Sequence, residues 1–318
     1  MPKQQKQNMS RGAVALFFVG IVFLVAFILW SLGDGHLFRL FETSGQVATK
    51  QRNLIVFTML LSLVVLLPTY TMLYMFAWKY REGHKKQYKP DWDSNFSLEF
   101  VWWLIPIVII GVLAVVTYKT SHSLDPYKPL ASTNEPIQVQ VVALNWKWLF
   151  IYPQEGVASV NEFAFPVDRP VELTLTSDGP MASFWAPELA GQIYVMAGMS
   201  TKLHVDANKI GIYEGVNSNI TGKGYSDMRF KAKVMSSQSY EDWLTRAANS
   251  DKVLSATTLT NLRKETVANP VTYFALQKKD VYKTIEGQYM GHGMPSNEHA
   301  IPHSTPSMPN MQHTMEGM

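Results

Sequence analysis

A chain of 318 residues, 47% of them apolar, is long enough for one soluble domain plus membrane segments. A net charge of +3, with no Lys/Arg cluster interleaved with aromatics in the second half, argues against a nucleic-acid partner. The absence of Cys excludes disulfides, thiolate zinc or copper sites, a Cys nucleophile and a lipid anchor on an N-terminal Cys, and leaves the redox compartment open.

The first apolar run, Ala13 to Trp30, follows Lys3, Lys6 and Arg11. That is the layout of a secretory signal and equally of an uncleaved anchor. Its length sits at the spanning threshold of about 18–20 residues, so residues 1–35 are read as a signal peptide or signal anchor, with both outcomes open. The second run, Leu54 to Trp78, carries no charge and contains Pro68, which should bend the helix or locally open its hydrogen bonding. The third, Phe100 to Tyr118, has Pro106 near its start. Core helices seldom run this long without a polar residue, so both read as membrane spans, a helical hairpin over residues 50–120. The loop between them, "KYREGHKKQYK", holds Lys79, Arg81, Lys85, Lys86 and Lys89, against only Arg39, Lys50 and Arg52 before Leu54. The positive-inside rule places this loop in the cytoplasm and everything after about Ser121 outside it. Trp78, Tyr80, Trp102 and Trp103 fall where interfacial aromatic belts are expected.

Beyond the Pro-punctuated linker Tyr127–Gln138 the pattern changes to period two. Ile137, Val139 and Val141, then Val171, Leu173 and Leu175, then Phe230, Ala232 and Val234 alternate with mostly polar neighbours, the mark of strands with one buried face. Turn signals such as "SDGP" and "AGM" separate them, which predicts a sandwich or barrel. "SSQSYEDWLTRA" reads as a helix start, with Ser239 and Asp242 at capping-box spacing, and a second helical stretch surrounds Leu254 to Lys264. Residues 237–289 thus form a C-terminal helical extension. The tail from Met290 holds six Met, four His and four Pro and nothing that could build a core, so residues 290–318 read as disordered. Met and His are copper ligands, but their spacing here defines no coordination geometry.

Few side chains suggest chemistry. His204 is the lone histidine of the globular half, and one imidazole without a Cys partner makes no high-affinity copper site. Gly215 to Lys223 fails as a phosphate loop, because its spacing is one residue too long and Gly224 stands where Ser or Thr should be. Asp91 and Asp93 read as solvated loop charges. In "NWKWLFIYP", Trp146, Trp148, Phe150 and Tyr152 alternate as one aromatic face of a strand. Glu99, in "SNFSLEFVWWLIP", reads as a charge in a first helical turn, where it suits the helix dipole; its other reading is a carboxylate at the mouth of a proton path.

The two-span hairpin, the basic loop, "LEFVWW", "NWKW", "SFWAPEL", "AGMSTKLHVDAN" and "YEGVNSNITGKGYSDM" together resemble subunit II of the haem–copper respiratory oxidases, from about Gln51 to the "DWLTRA" helix. The cytochrome c-oxidising members carry a binuclear copper centre. Their ligand positions fall here on Ala182, Asn217, Asn219, Thr221, Tyr225 and Met228, and of the side-chain ligands only the Met is kept. The resemblance is therefore to the quinol-oxidising, bo-type branch, which lacks that centre. It implies a membrane helical hairpin bearing an all-β cupredoxin-like barrel (residues 131–236) on the periplasmic side of a bacterial inner membrane, with a short C-terminal helical region. It also implies no metal and no catalytic residue in this chain, haems and a single copper in partner subunit I, and smaller partner subunits III and IV. Ubiquinol would be the substrate of the complex, and Glu99 a candidate for proton entry. Two other readings stay in view: a membrane-anchored copper-binding protein acting through the Met/His tail, and a degenerate cytochrome c oxidase subunit. The polar side chains of the loop are expected to satisfy one another, with Gly215, Gly222 and Gly224 supplying its turns.

Overall fold

The computed structural model describes residues 42–80, 95–278 and 280–290. The segment Ala13–Trp30, the basic loop from Arg81 with Asp91 and Asp93, and the tail after Met290 lie outside the described residues.

Two long helices come first, α1 (Gln46–Lys79) and α2 (Phe96–Ser123). Both are long and apolar enough to cross a membrane. Ala48 is the only buried residue of α1, and α2 has none, so their apolar surfaces need a covering that the described residues do not supply. Each extends past its apolar run into polar residues, because a helix ends where its caps and chain turns dictate rather than where hydropathy falls. Helix α1 runs unbroken through Pro68, and the nearby Thr69 and Thr71 hydroxyls donate to Val65 O and Leu67 O, each four residues earlier. The helix is thus continuous across the proline. Asn95 caps α2, its Oδ1 accepting from Leu98 N at 3.1 Å.

Helix α1 is capped from far away. Gly45 offers no side chain, and Asp206 Oδ1 accepts from Gln46 N at 2.9 Å across 160 residues of sequence. Glycine is required at position 45, since a Cβ there would lie 2.5 Å from Asp206 O and 2.8 Å from Leu189 O. Ser44 completes the junction: its N donates to Glu188 O (2.8 Å), its O accepts from Asn208 N (2.6 Å), and its hydroxyl meets that of Tyr213. On the α2 side, His204 Nδ1 lies 3.0 Å from Pro126 O. The "KLHVDAN" stretch therefore bolts the globular domain to both helices, and His204 is a buried structural residue.

The domain is a two-sheet sandwich of the cupredoxin type. One sheet holds, in spatial order, β11 (Val253–Leu254), β12 (Thr272–Leu276), β3 (Val157–Val160), β2 (Lys147–Tyr152), β1 (Ile137–Leu144), β5 (Val171–Ser177) and β8 (Thr201–Val205). The other holds β4 (Glu162–Pro166), β10 (Arg229–Met235), β9 (Gly211–Asn217), β6 (Ala182–Trp185) and β7 (Ile193–Val195). The pairs β1/β5 and β4/β10 are parallel, so the chain between the members of each pair passes through the opposite sheet. The alternation read in β10 is observed, with Phe230, Ala232 and Val234 inward and Arg229 and Lys231 exposed. Aromatic rings fill the space between the sheets: Phe184 stacks on Phe230 at 4.6 Å, and Trp148 meets Phe184 edge-on at 5.2 Å.

The C-terminal extension explains why β1 and β2 lose their alternation. Val142, Leu144, Leu149 and Ile151 point away from the first core into a second one, covered by α4 (Ala256–Leu262) and α5 (Val281–Met290). The extension is not purely helical, since β11 and β12 add to the sheet edge. Its first helix, α3 (Ser237–Ala248), is capped by Ser236, whose hydroxyl accepts from Ser239 N at 3.3 Å. The cap thus lies one turn before the Ser239–Asp242 pair, because Ser236 is the last residue with an extended backbone. Buried Glu162 anchors this part by an ion pair with Lys233 (2.8 Å) and by accepting from Trp243 Nε1 (3.2 Å) and the Tyr273 hydroxyl; burial, with that bond, pushes the Tyr273 phenol up to about 12.

Candidate functional site

Strand β9 ends at Asn217, and the chain then loops through Ser218–Gly224 into a 3-10 turn (Tyr225–Asp227) before β10. Asn217 is buried and organises the loop. Its Oδ1 accepts from Ser183 N (2.9 Å) on neighbouring β6 and from Asn219 N (3.1 Å). Its Nδ2 donates to Asn219 O (2.9 Å) and Thr221 Oγ1 (3.2 Å), so both faces of the amide are used. Asn219 Nδ2 reaches Met181 O (2.7 Å), and Ser218 Oγ bonds Ser183 Oγ (3.0 Å). Together with the backbone bond from Ser218 N to Ser183 O (3.1 Å), these polar side chains sew the loop onto the β6 edge.

The six singled-out positions divide in two. Asn217, Asn219 and Thr221 share this network, and Ala182 sits buried beside Ser183 at its edge. Met228 is 1% exposed and belongs to the inter-sheet core; its carbonyl accepts from Asn217 N at 3.0 Å. Tyr225 begins the 3-10 turn and faces solvent. Glu99 is remote: it stands in the first turn of α2, twenty-four residues before Ser123, or ~36 Å at 1.5 Å per residue.

The glycines do different work from the turns expected of them. Of Gly215, Gly222 and Gly224, only Gly222 has a positive φ, 120°. Gly215 is needed for space: a Cβ would lie 1.9 Å from Phe230 Cζ. Gly224 leaves room for the Trp146 indole, which a Cβ would approach to 2.5 Å. Trp146 is accordingly not part of the aromatic strand face. It occupies the β1–β2 turn at φ 59° and roofs the loop, its Nε1 donating to Thr221 O at 3.2 Å. Trp148, Phe150 and Tyr152 do form the inward face. Tyr152 exchanges two hydrogen bonds with the Ala164 backbone, and burial pushes its phenol well above the usual range.

Sequence reasoning missed three residues near this end of the sandwich. Ser183 completes the loop network; a small polar residue inside a buried "ASFW" strand was the available signal. Lys147, 1% exposed, donates to Leu262 O (2.9 Å), Lys264 O (2.8 Å) and Thr266 Oγ1 (2.6 Å), holding the chain after α4. Burial pulls its ammonium below the ordinary lysine range. Asp178 accepts from Arg263 Nε (2.6 Å) and from the Tyr289 hydroxyl (2.9 Å), which locks α5 to the "SDGP" turn.

As a donor set for a binuclear copper site these residues do not fit. Ala182 has no donor atom, the Asn217 amide and Thr221 hydroxyl are hard ligands already engaged, and Tyr225 points outward. Among the described residues no three His, Cys, Asp or Glu side chains converge on a common point.

No family model matches the chain. It is 45% identical over 255 residues to the cytochrome bo(3) ubiquinol oxidase subunit 2 of Pseudomonas aeruginosa, covering 80% of this chain and 77% of that one. It is 42% identical over 280 residues to the protein of the same name from Pseudomonas putida, covering 87% and 89%. The quinol oxidase subunit 2 of Bacillus subtilis is 32% identical over 232 residues, 72% of each chain. Among solved structures, the periplasmic domain of subunit II of cytochrome oxidase (CoxB) of Bradyrhizobium japonicum aligns with 36% of this chain and 96% of its own at 20% identity, with a TM-score of 0.34, a likeness too distant to bear on function. The chain belongs to the ubiquinol oxidase subunit 2 family and is subunit II of a quinol oxidase, an oxidoreductase complex.

Proposed function

We propose that this chain serves its oxidase as a scaffold without a redox centre of its own. Electrons from ubiquinol enter the partner catalytic subunit I directly within the membrane, and the haems and the copper reside there. The observation that carries this reading is the Asn217 amide: its oxygen and nitrogen are both spent on the loop itself, where a copper relay would need free soft ligands. A quinol is apolar and reaches its oxidant from the bilayer, so no relay outside the membrane is required.

On this reading the chain is a multi-pass inner-membrane subunit whose hairpin (50–120) packs among subunits I, III and IV. The domain (131–236) with its extension (237–289) faces the periplasm, ahead of the tail (290–318) and after the signal or anchor (1–35). The uncovered apolar surfaces of α1 and α2 support burial against lipid and partner helices. Glu99 is proposed to stand at a proton entrance, supported by its place in the first turn of α2. The test is the electron donor. The assembled oxidase is expected to turn over with ubiquinol and not with reduced cytochrome c; turnover with cytochrome c at a comparable rate would overturn the proposal. For Glu99, replacement by Gln is expected to lower oxygen reduction and proton uptake together while leaving assembly intact, and unchanged uptake would refute the assignment.

A further inference from the structure

We propose that the outer end of the helix pair holds an anionic glycerophospholipid, one acyl chain lying between α1 and α2 and the phosphate seated in the polar cleft above it. Two adjoining hollows carry the argument. The first is a groove of about 460 Å³ formed by Leu54 and Thr58 of α1 and by Leu113, Val116, Thr117 and Thr120 of α2. Two of its threonine hydroxyls are turned back onto the helices, Thr58 Oγ1 donating to Ile55 O (2.9 Å) and Thr120 Oγ1 to Val116 O (2.8 Å), and its other polar lining, Ser121 and Asp125, lies at the outer end beside the second hollow. Inward of that end, between Leu54, Leu113 and Val116, the groove is mainly hydrocarbon, a lining for an alkyl chain rather than for a head group. Along α2 it runs from Leu113 to Leu124, ~16 Å at 1.5 Å per residue, about half of a ~30 Å hydrocarbon core and so the depth of one leaflet.

The second hollow, about 230 Å³, shares Leu124, Asp125 and Pro126 with the first and rises between the helix ends and the domain. Its wall carries Lys50, Gln51 and Lys128 with the first turn of α1. Lys50 and Lys128 are exposed, and neither makes an ion pair with a described residue. Of the nearby carboxylates, Asp125, which lines both hollows, accepts from Tyr127 N, and Asp206 accepts from Gln46 N while also feeling the Lys50 charge. Along α1, Lys50 precedes Leu54, where the uninterrupted apolar run begins, so the cations stand at head-group depth and the groove at hydrocarbon depth. This order selects a lipid over a soluble phosphate, which would satisfy the lysines and leave the groove unfilled.

Native mass spectrometry of the purified full chain, and then of the assembled oxidase, tests the assignment with added phosphatidylglycerol and phosphatidylcholine as probes. A retained phosphatidylglycerol adduct, far weaker for phosphatidylcholine, is expected in both samples. Lys50→Gln and Lys128→Gln should each weaken it roughly fivefold, the ~1 kcal/mol of a basic side chain at an anionic surface converted at 1.4 kcal/mol per tenfold. Thr117→Trp, which fills the groove, should abolish the adduct, and Lys231→Gln on the outer face of β10 should leave it unchanged. Equal retention of the two lipids, indifference to the lysines, competition by inorganic phosphate alone, or loss of the adduct when the partner subunits assemble would each overturn the proposal. The substituted side chains are exposed, and co-purification with the partners reports that each variant folds.

Discussion

Replacing Asn217 by Ala should destabilise the domain by about 2–4 kcal/mol, although the residue touches no ligand. The amide makes four hydrogen bonds, which do not count equally. Ser183 N is fully buried, and without Asn217 Oδ1 at 2.9 Å it has no acceptor. An orphaned buried donor costs ~1–3 kcal/mol. The bonds to Asn219 and Thr221 lie nearer solvent, where water can replace them, and add about 0.5–1.5 kcal/mol together. Unfolding of the full chain in detergent, followed by tryptophan fluorescence, measures the difference. A second variant sharpens the test. Asn217→Asp keeps the acceptor for Ser183 N but turns a carboxylate oxygen toward Asn219 O, so its loss at neutral pH should shrink as that carboxylate is protonated on acidification. An Asn217→Ala loss below about 0.5 kcal/mol, inside the range of an ordinary surface change, would refute the claim that this amide holds the loop.

Further consequences follow from the packing and the junction. Gly215→Ala forces a Cβ to within 1.9 Å of the Phe230 ring, which is locked between Phe184 and Trp148; a loss of about 1–3 kcal/mol in the same unfolding assay is expected, and a neutral result would contradict the packing account. Lys147→Met should release the chain at Leu262–Thr266, costing about 1–3 kcal/mol and speeding trypsin cleavage after the already exposed Lys264 by freeing its backbone, whereas unchanged cleavage would show that the ammonium does not hold it. Burial raises the Asp206 carboxyl above its ordinary value of 3.8. The folded state then holds this proton more tightly than the unfolded one, so the group's contribution to stability falls as pH rises from about 3.8 through the raised value. Asp206→Asn keeps an oxygen for Gln46 N and should remove that pH dependence at little cost, while Asp206→Ala should loosen α1 from the domain, read as faster amide exchange at Gln46. Identical exchange in the two variants would contradict the capping role.

The parts of this architecture written in local pattern were legible before the structure. Uninterrupted apolar runs gave α1 and α2, and alternation gave β5 and β10, because each needs only the period of its own side chains. What escaped depends on partners far along the chain. β12 pairs with β3, more than a hundred residues earlier, and β11 has only two residues, too few to show a period. Nothing local to α1 announces that Asp206 caps it. Trp146 fits the alternation of its neighbours yet sits in a turn at φ 59°, a choice made by the room that Gly224 leaves for its indole. At the loop, the sequence carried only the expectation that its polar side chains satisfy one another, and the structure shows Asn217 bonded to Asn219 and Thr221.

The most direct measurement is the copper content of the purified full chain after exposure to excess copper and removal of loosely bound ion, read by elemental analysis and by electron paramagnetic resonance. A loop closed by Asn217, with the donorless Ala182 and the engaged Thr221 hydroxyl beside it, predicts well under one copper per chain and no binuclear signal. Two tightly held copper ions per chain, with electrons shared between them, would contradict the account.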